Sequence, residues 1–185
     1  MNKNFERVGQ IQIQGSHIDI TDPCYNSDVS CRTSVENMAP GLYDCMVEYA
    51  EDGHYRYVSR ARIVFAGGDE NFRKQHNERL TKGRSWRNIG EIGVDAGIAG
   101  FFDGSKPDFS DEKWSELCTW MNQVDRTAEA RFGRLGHWYI LHFGETNADG
   151  FWTSSGYGDG GYPVFAIQSI MGTEKKTTAV EIRFL

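Results

Sequence analysis

Short stretches of alternating apolar and polar residues recur along this chain and constrain its fold more than any other feature. Residues 8–14 (VGQIQIQ) place side chains on two faces in turn, which is the period of a half-buried strand. Residues 17–20 and 137–143 alternate in the same way. Turn signals built from Gly, Pro, Asn and Asp separate such stretches. Many short strands joined by turns indicate a fold dominated by antiparallel sheet.

Several of these strands are expected to pair as hairpins, because a turn signal lies between them. A first, short hairpin is predicted from residues 8–14 and 17–20, which flank Gly15-Ser16. Three longer hairpins pair residues 42–49 with 55–65, 137–143 with 150–154, and 163–170 with 177–185.

One main helix is predicted over residues 110–124. Ser110 is a suitable N-cap, and acidic residues occupy the first turn, where the helix dipole favours them. An apolar stripe at helical spacing follows, made of Trp114, Leu117, Cys118 and Met121. Residues 71–85 permit a second, short helix with a thin apolar face. The predicted fold is therefore α+β and mainly antiparallel β, a sandwich or a partly closed barrel with the main helix packed on the sheet, in a single domain over residues 1–185.

The charge distribution limits the classes of partner. The formal net charge of -6 argues against bulk nucleic-acid binding, which needs a basic surface that displaces counterions. The segment 56–87 is nevertheless locally basic. It is interpreted as a solvated basic face or, alternatively, as an anion-binding surface.

The N-terminal residues and the cysteines predict the cellular compartment of the protein. Residues 1–7 lack the apolar core of a signal peptide, and no stretch approaches the roughly 20 apolar residues of a membrane helix. The four cysteines, at positions 24, 31, 45 and 118, form no CxxC pair and are expected to be reduced. A cytoplasmic protein without membrane contact is the resulting expectation.

Three Asp-containing turn motifs are the candidates for a functional site: TDPCY (21–25), VDAG (94–97) and SGYGDG (155–160). In the first, Pro23 cannot continue a strand ladder, so Asp22 either caps the turn or projects into a cleft. In the second, small residues allow close packing or ligand contact. In the third, glycine N–H groups either form an anion-binding concavity or belong to a structural turn.

The same motifs supply candidates for catalysis and for metal binding. Cys24 is a candidate nucleophile if a histidine such as His137 lies beside it. Asp22, Asp95 and Asp159 offer the hard oxygen ligands that Mg²⁺ or Ca²⁺ prefers.

Taken in order, the three motifs resemble those of an uncharacterised family of bacterial and phage domains of unknown function. The resemblance rests on ITDPCY (20–25), GVDAGIAGFFD (93–103) and SSGYGDGGYPV (154–164). It implies a closing hairpin after the third motif, and it implies no activity. Family members often carry DSGQ where this chain has DAGI (95–98), and the missing Ser and Gln weaken the case for polar chemistry there.

The predicted function is a non-enzymatic binding protein, phage-encoded in one interpretation and then located in the host cytoplasm. It would capture a small polar ligand, such as a nucleotide, or a host protein, and it would require no cofactor. The predicted ligand-binding residues are Asp22, Tyr25, Asp95, Ser155, Tyr157, Asp159 and Tyr162. The alternatives are a divalent-metal-dependent or Cys-based hydrolase and a purely structural or interaction domain.

Overall fold

A computed structural model describes residues 5–25, 29–53, 55–104, 119, 138–142 and 148–185 of the chain. Within these residues eleven strands form two antiparallel sheets that pack face to face. The predicted antiparallel, β-rich architecture is confirmed, and it takes the sandwich form. Of the predicted helix over residues 110–124 only Thr119 is described, and it is helical; the other residues of this helix lie outside the described part of the chain.

The larger sheet has six strands. They are β1 (Phe5–Ile13), β4 (Gly41–Asp52), β5 (Tyr55–Phe65), β6 (Arg87–Val94), β10 (Gly160–Met171) and β11 (Glu174–Arg183). Their order across the sheet is β1-β4-β5-β11-β10-β6.

The smaller sheet has five strands. They are β2 (Ile18–Thr21), β3 (Arg32–Val35), β7 (Ile98–Asp103), β8 (Trp138–His142) and β9 (Ala148–Ser154). Their order is β3-β2-β7-β9-β8.

The hydrophobic core lies between the two sheets and follows directly from the alternation in the sequence. Along β4, Tyr43, Cys45 and Val47 are fully buried, and the residues between them are partly exposed. From the smaller sheet, Phe101 and Phe151 reach the same core and stack with ring centroids 6.0 Å apart. Burial of these faces supplies the main favourable free energy of folding.

The three longer predicted hairpins are confirmed as β4–β5, β8–β9 and β10–β11. The short hairpin predicted from residues 8–14 and 17–20 is wrong. β1 pairs with β4, whereas β2 pairs with β3 and β7 in the other sheet. A two-residue hairpin turn needs a residue with positive φ, and Gly15 does not have one. Residues 14–17 instead carry the chain from one sheet to the other.

One complete α-helix, α1 (Glu70–Thr81), is present in the described residues, at the segment 71–85 where a short helix is expected. Asp69 caps it, because its carboxylate accepts the Phe72 N–H at 2.8 Å. Near its other end Arg79 Nη1 donates to Ser169 Oγ at 3.0 Å. The helix therefore lies fixed on the outer face of the six-stranded sheet. In the part of the chain described, no helix is both long and apolar enough to span a bilayer.

A second, smaller apolar cluster lies on that outer face, on the opposite side of the sheet from the main core. Val64 and Ala179 belong to it, and they alternate along their strands with Ile63 and Val180 of the main core. Leu80 of α1 packs against this cluster. The molecule therefore has three layers here: smaller sheet, larger sheet and helix.

Candidate functional site

The three sequence motifs meet in space, and together they form what we call the turn cluster (residues 21–25, 94–97 and 155–160). Asp22 Oδ2 accepts the backbone N–H groups of Asp95 at 2.9 Å and Ala96 at 2.7 Å. The Ser155 N–H donates to the Gly97 carbonyl at 3.0 Å. Each motif is thus hydrogen-bonded to another one.

The turn cluster lies where the chain changes sheets. Residues 95–97 lead from β6 in the larger sheet to β7 in the smaller one, and residues 155–159 lead back from β9 to β10. Residues 21–25 follow β2 of the smaller sheet. The two crossings lie side by side, since Gly160 is the register partner of Val94. A corner of this kind leaves backbone groups outside the ladders, and they need partners.

Asp22 supplies those partners. Its side chain is fully buried, and its Oδ1 accepts the Cys24 N–H at 2.9 Å in addition to the two bonds to Oδ2. Burial raises the pKa of the Asp22 carboxyl above its ordinary value, while the three N–H donors act in the opposite direction. Both oxygens are engaged, so this carboxylate joins two turns.

The glycine-rich loop is held from within. The Ser155 hydroxyl donates to the Gly158 carbonyl at 2.8 Å, and the Gly158 N–H donates to the Ser155 carbonyl at 2.9 Å. The Tyr162 hydroxyl contacts the carbonyls of Gly158 at 2.6 Å and Ser155 at 3.1 Å. Gly156 has φ +60°, and a Cβ there would lie 2.9 Å from Phe184 Cβ, so only glycine fits. The loop is a packed turn.

The predicted ligand-binding residues divide into two groups. Asp22, Ser155 and Tyr162 are buried and bonded to backbone. The exposed group consists of Tyr25, Asp95, Tyr157 and Asp159. Tyr157 packs edge-on against Tyr57, with ring centroids 4.7 Å apart. Ligand binding by the exposed group stays a prediction.

Cys24 is disulfide-bonded, whereas Cys31 and Cys45 are free and buried. The expectation that every cysteine is reduced is therefore wrong for Cys24, which has no thiolate with which to attack a substrate. Spacing in the sequence did not reveal this, because the partner of a half-cystine is set by the fold. The other catalytic candidate, His137, lies outside the described residues.

Metal ligands were predicted at Asp22, Asp95 and Asp159. Among the described residues, no group of three or more His, Cys, Asp or Glu side chains is placed to hold a metal ion. The three motifs are thus joined by hydrogen bonds from backbone N–H groups, two of which the Asp22 carboxylate accepts and one of which the Gly97 carbonyl accepts.

A second candidate region, the helix cavity, lies between α1 and the outer face of the larger sheet. Its volume is about 220 Å³. Its apolar wall is formed by Phe5, Met46, Val64, Phe65, Ala66 and Leu80. Its polar lining consists of Arg7, Asp44, Arg62, Arg73, His76 and Asn77. An apolar cavity with a few polar side chains is the usual form of a small-molecule site.

His76 of α1 is the most unusual residue of the helix cavity. It is 3% exposed, and neither ring nitrogen has a hydrogen-bond partner. The Thr178 backbone lies close enough to raise the pKa of His76, but neither ring nitrogen has hydrogen-bond geometry toward it. Burial, with a smaller contribution from Arg79, lowers the pKa of His76 to about 4. The imidazole is therefore neutral at pH 7 and presents one donor and one acceptor.

Arg62 of β5 is the second buried polar group, at 2% exposed. Its guanidinium forms an ion pair with the fully buried Glu181 and lies 3.4 Å from the centroid of the Phe5 ring. Its Nε–H has no partner. A buried donor without an acceptor costs stability, so the lining of the helix cavity includes two polar side chains with unmade hydrogen bonds.

The charges around the helix cavity favour anions. Arg7 pairs with Asp44 at 2.6 Å, and Arg62 pairs with Glu181. Arg73, exposed on α1, has no ion-pair partner among the described residues. One lining cation therefore remains without a counter-charge.

None of the three sequence motifs lies in this region. The sequence carries two signals of it: the basic composition of residues 56–87, and the positions of Phe72, His76 and Leu80, four residues apart on one face of α1. The ring of His76 stacks on Phe72 with centroids 5.4 Å apart. Spacing alone did not indicate that a histidine in this stripe would be buried beside an arginine from a distant strand.

Comparison of the chain with protein-family models, curated proteins and solved structures finds no match. The resemblance to a bacterial and phage family therefore stays a prediction.

Proposed function

We propose that this chain is a non-enzymatic binding protein that captures a small ligand in the helix cavity. The observation that carries the proposal is a cavity whose lining includes two buried polar side chains, His76 and Arg62, with nitrogens that have no hydrogen-bond partner among the described residues. Such groups are rare in folded proteins, because each lowers stability unless another molecule satisfies it.

The size of the cavity limits the ligand. Drug-sized ligands occupy pockets of roughly 300–1,000 Å³, whereas an apolar cavity of about 150 Å³ holds a single benzene ring. The helix cavity, at about 220 Å³, lies between these values. This supports a ligand of one ring or a short branched chain, smaller than the nucleotide suggested from the sequence.

Ligand-detected NMR and thermal unfolding with a panel of small one-ring and short-chain compounds test the proposal. A compound present at 100 times its Kd should raise the midpoint of unfolding by about 5–10 °C. The proposal fails if no compound of the panel binds the full chain.

A matched pair of variants assigns any binding to the helix cavity. Asn77 lines the cavity from an exposed position of α1, and its neighbour Glu78 is equally exposed but does not line it. Asn77→Trp should block the entrance and abolish binding, whereas Glu78→Trp should leave it unchanged. Equal binding by both variants would place the ligand elsewhere.

The other predicted functions receive less support. A Cys-based hydrolase loses its nucleophile, because Cys24 is disulfide-bonded. The metal-dependent hydrolase, the capture of a host protein and a purely structural role stay predictions. The cytoplasmic location rested partly on reduced cysteines, and the disulfide removes that part of the argument, since disulfides persist mainly in oxidising compartments.

A further inference from the structure

We infer that the ligand of the helix cavity is a small monocarboxylate with an apolar body, an aromatic or branched aliphatic acid, recognised by Arg73 in a cavity that Arg62 and His76 also line. This inference rests on the proposed function and adds the chemical class of the ligand.

The charge of the ligand follows from the ion pairs around the cavity. Two of the three lining arginines, Arg7 and Arg62, already have carboxylate partners in Asp44 and Glu181. Arg73 alone has none among the described residues. One uncompensated cation favours a ligand with one negative charge, and a guanidinium binds a carboxylate through two parallel hydrogen bonds.

The unpartnered groups indicate that the polar end of the ligand accepts hydrogen bonds. The Nε–H of Arg62 is a donor, and the neutral ring of His76 has one N–H. Arginine has no acceptor to offer, so a ligand ammonium group would leave its Nε–H unsatisfied. A carboxylate accepts hydrogen bonds through both oxygens, which matches a polar lining that is rich in donors.

The apolar body of the ligand follows from the apolar part of the lining. Phe5, Met46, Val64 and Leu80 face the cavity, and they offer no hydrogen bonds from their side chains. A fully hydrated anion such as inorganic phosphate would gain nothing from this wall, whereas a ring or a branched chain removes it from water.

Isothermal titration of the full chain with benzoate and with benzamide tests the charge of the ligand, since the two probes differ little in shape. Benzoate should bind about tenfold more tightly than benzamide, because hydrogen bonds to a charged partner are the stronger ones. Arg73→Met should weaken benzoate binding by about tenfold and leave benzamide binding within about twofold. Lys74→Met is the matched control: it removes the same charge from the next residue of α1, which does not line the cavity, and it should change neither affinity.

The outcomes separate this inference from the proposed function. If benzamide binds as tightly as benzoate and Asn77→Trp abolishes both, the cavity binds a ligand but the inference of an anion is overturned. Loss of benzoate binding in Lys74→Met as large as in Arg73→Met would also overturn it, because a general charge effect would then explain the preference. If inorganic phosphate displaces benzoate when the two are present at equal concentration, the inference that the ligand has an apolar body is overturned. If neither probe binds and no compound of the wider panel does, the proposed function fails as well.

Discussion

The turn cluster and the helix cavity both contain buried polar side chains, but only in the turn cluster are these side chains fully hydrogen-bonded. The Asp22 carboxylate accepts three backbone N–H groups, and the Tyr162 hydroxyl contacts two carbonyls. In the helix cavity, both nitrogens of His76 and the Nε of Arg62 have no partner. The Asp and Gly motifs that stand out in the sequence thus form the hydrogen-bonded turns of the fold. The candidate ligand site is lined largely by residues of the basic segment 56–87, which contains none of these motifs.

Hydrogen bonding within the fold is a criterion that distinguishes structural polar groups from polar groups that bind a ligand. A polar group that serves the fold is satisfied within the fold, because an unmade hydrogen bond in the interior costs stability. A polar group that serves a ligand is satisfied only when the ligand is bound. Removal of the polar group should therefore destabilise the protein at Asp22 or Tyr162 of the turn cluster and stabilise it at His76 of the helix cavity, which has no ion-pair partner among the described residues to leave behind.

The largest effect is expected for Asp22→Ala. Three backbone N–H groups of the corner would lose their charged acceptor, and the free energy of unfolding should fall by about 4 kcal/mol. Asp22→Asn keeps one oxygen for the Cys24 N–H and should lose about 2 kcal/mol. Urea unfolding of the two variants measures both values. A loss below about 1 kcal/mol in Asp22→Ala would contradict the scaffold role and return this carboxylate to the ligand-binding candidates.

The pH dependence of stability should distinguish His76 from the turn cluster. The pKa of His76 is about 4 in the folded chain, below its ordinary value of 6.5. The unfolded chain therefore binds a proton first as the pH falls, so the contribution of His76 is complete above pH 6.5 and is lost between pH 6.5 and pH 4. The loss should amount to about 3 kcal/mol between pH 7 and pH 4. Urea unfolding of the wild type and of His76→Leu at both pH values gives it as a difference. Equal acid sensitivity of the two chains would show that His76 is protonated without penalty.

The Tyr162 hydroxyl provides an intermediate effect in the turn cluster. Tyr162→Phe leaves the carbonyls of Ser155 and Gly158 without this donor, and it should lower the free energy of unfolding by about 1.5 kcal/mol. Tyr157→Phe is the control, since the Tyr157 side chain is exposed and its hydroxyl lies 3.4 Å from Asp52. The control should stay within about 0.5 kcal/mol of the wild type. Equal losses in the two variants would mean that the glycine-rich loop is not held from within.

The smallest effect, and the one of opposite sign, is expected for His76→Leu at pH 7. It replaces two unpartnered buried nitrogens by methyl groups and should raise the free energy of unfolding by about 1 kcal/mol. Thermal unfolding in the absence of ligand measures this gain. A loss of stability at pH 7 would show that His76 is satisfied within the fold, and the contrast between the two regions would disappear.

Much of the fold was predictable because strand alternation is a local property. The residues Tyr43, Cys45 and Val47 alternate with more exposed neighbours, and this pattern places β4 in a sheet whatever its neighbours are. The hairpins followed for the same reason, since a turn signal joins strands that are adjacent in sequence. The pairing of β1 with β4 and of β2 with β7 was not predictable, because such partners are chosen by packing between distant segments.

The candidate site divides in the same way. The turns that the Asp and Gly motifs form at strand ends are predictable from the residues alone, because proline, glycine and aspartate restrict the backbone locally. The packed chain is needed to show that both oxygens of Asp22 are engaged, and that His76 and Arg62, from a helix and a distant strand, line one cavity. Burial and hydrogen-bond partners depend on segments that are far apart in the sequence. The type of a residue does not determine its burial or its hydrogen-bond partners. A motif therefore indicates where a turn lies, but not whether the polar groups of that turn are available to a ligand.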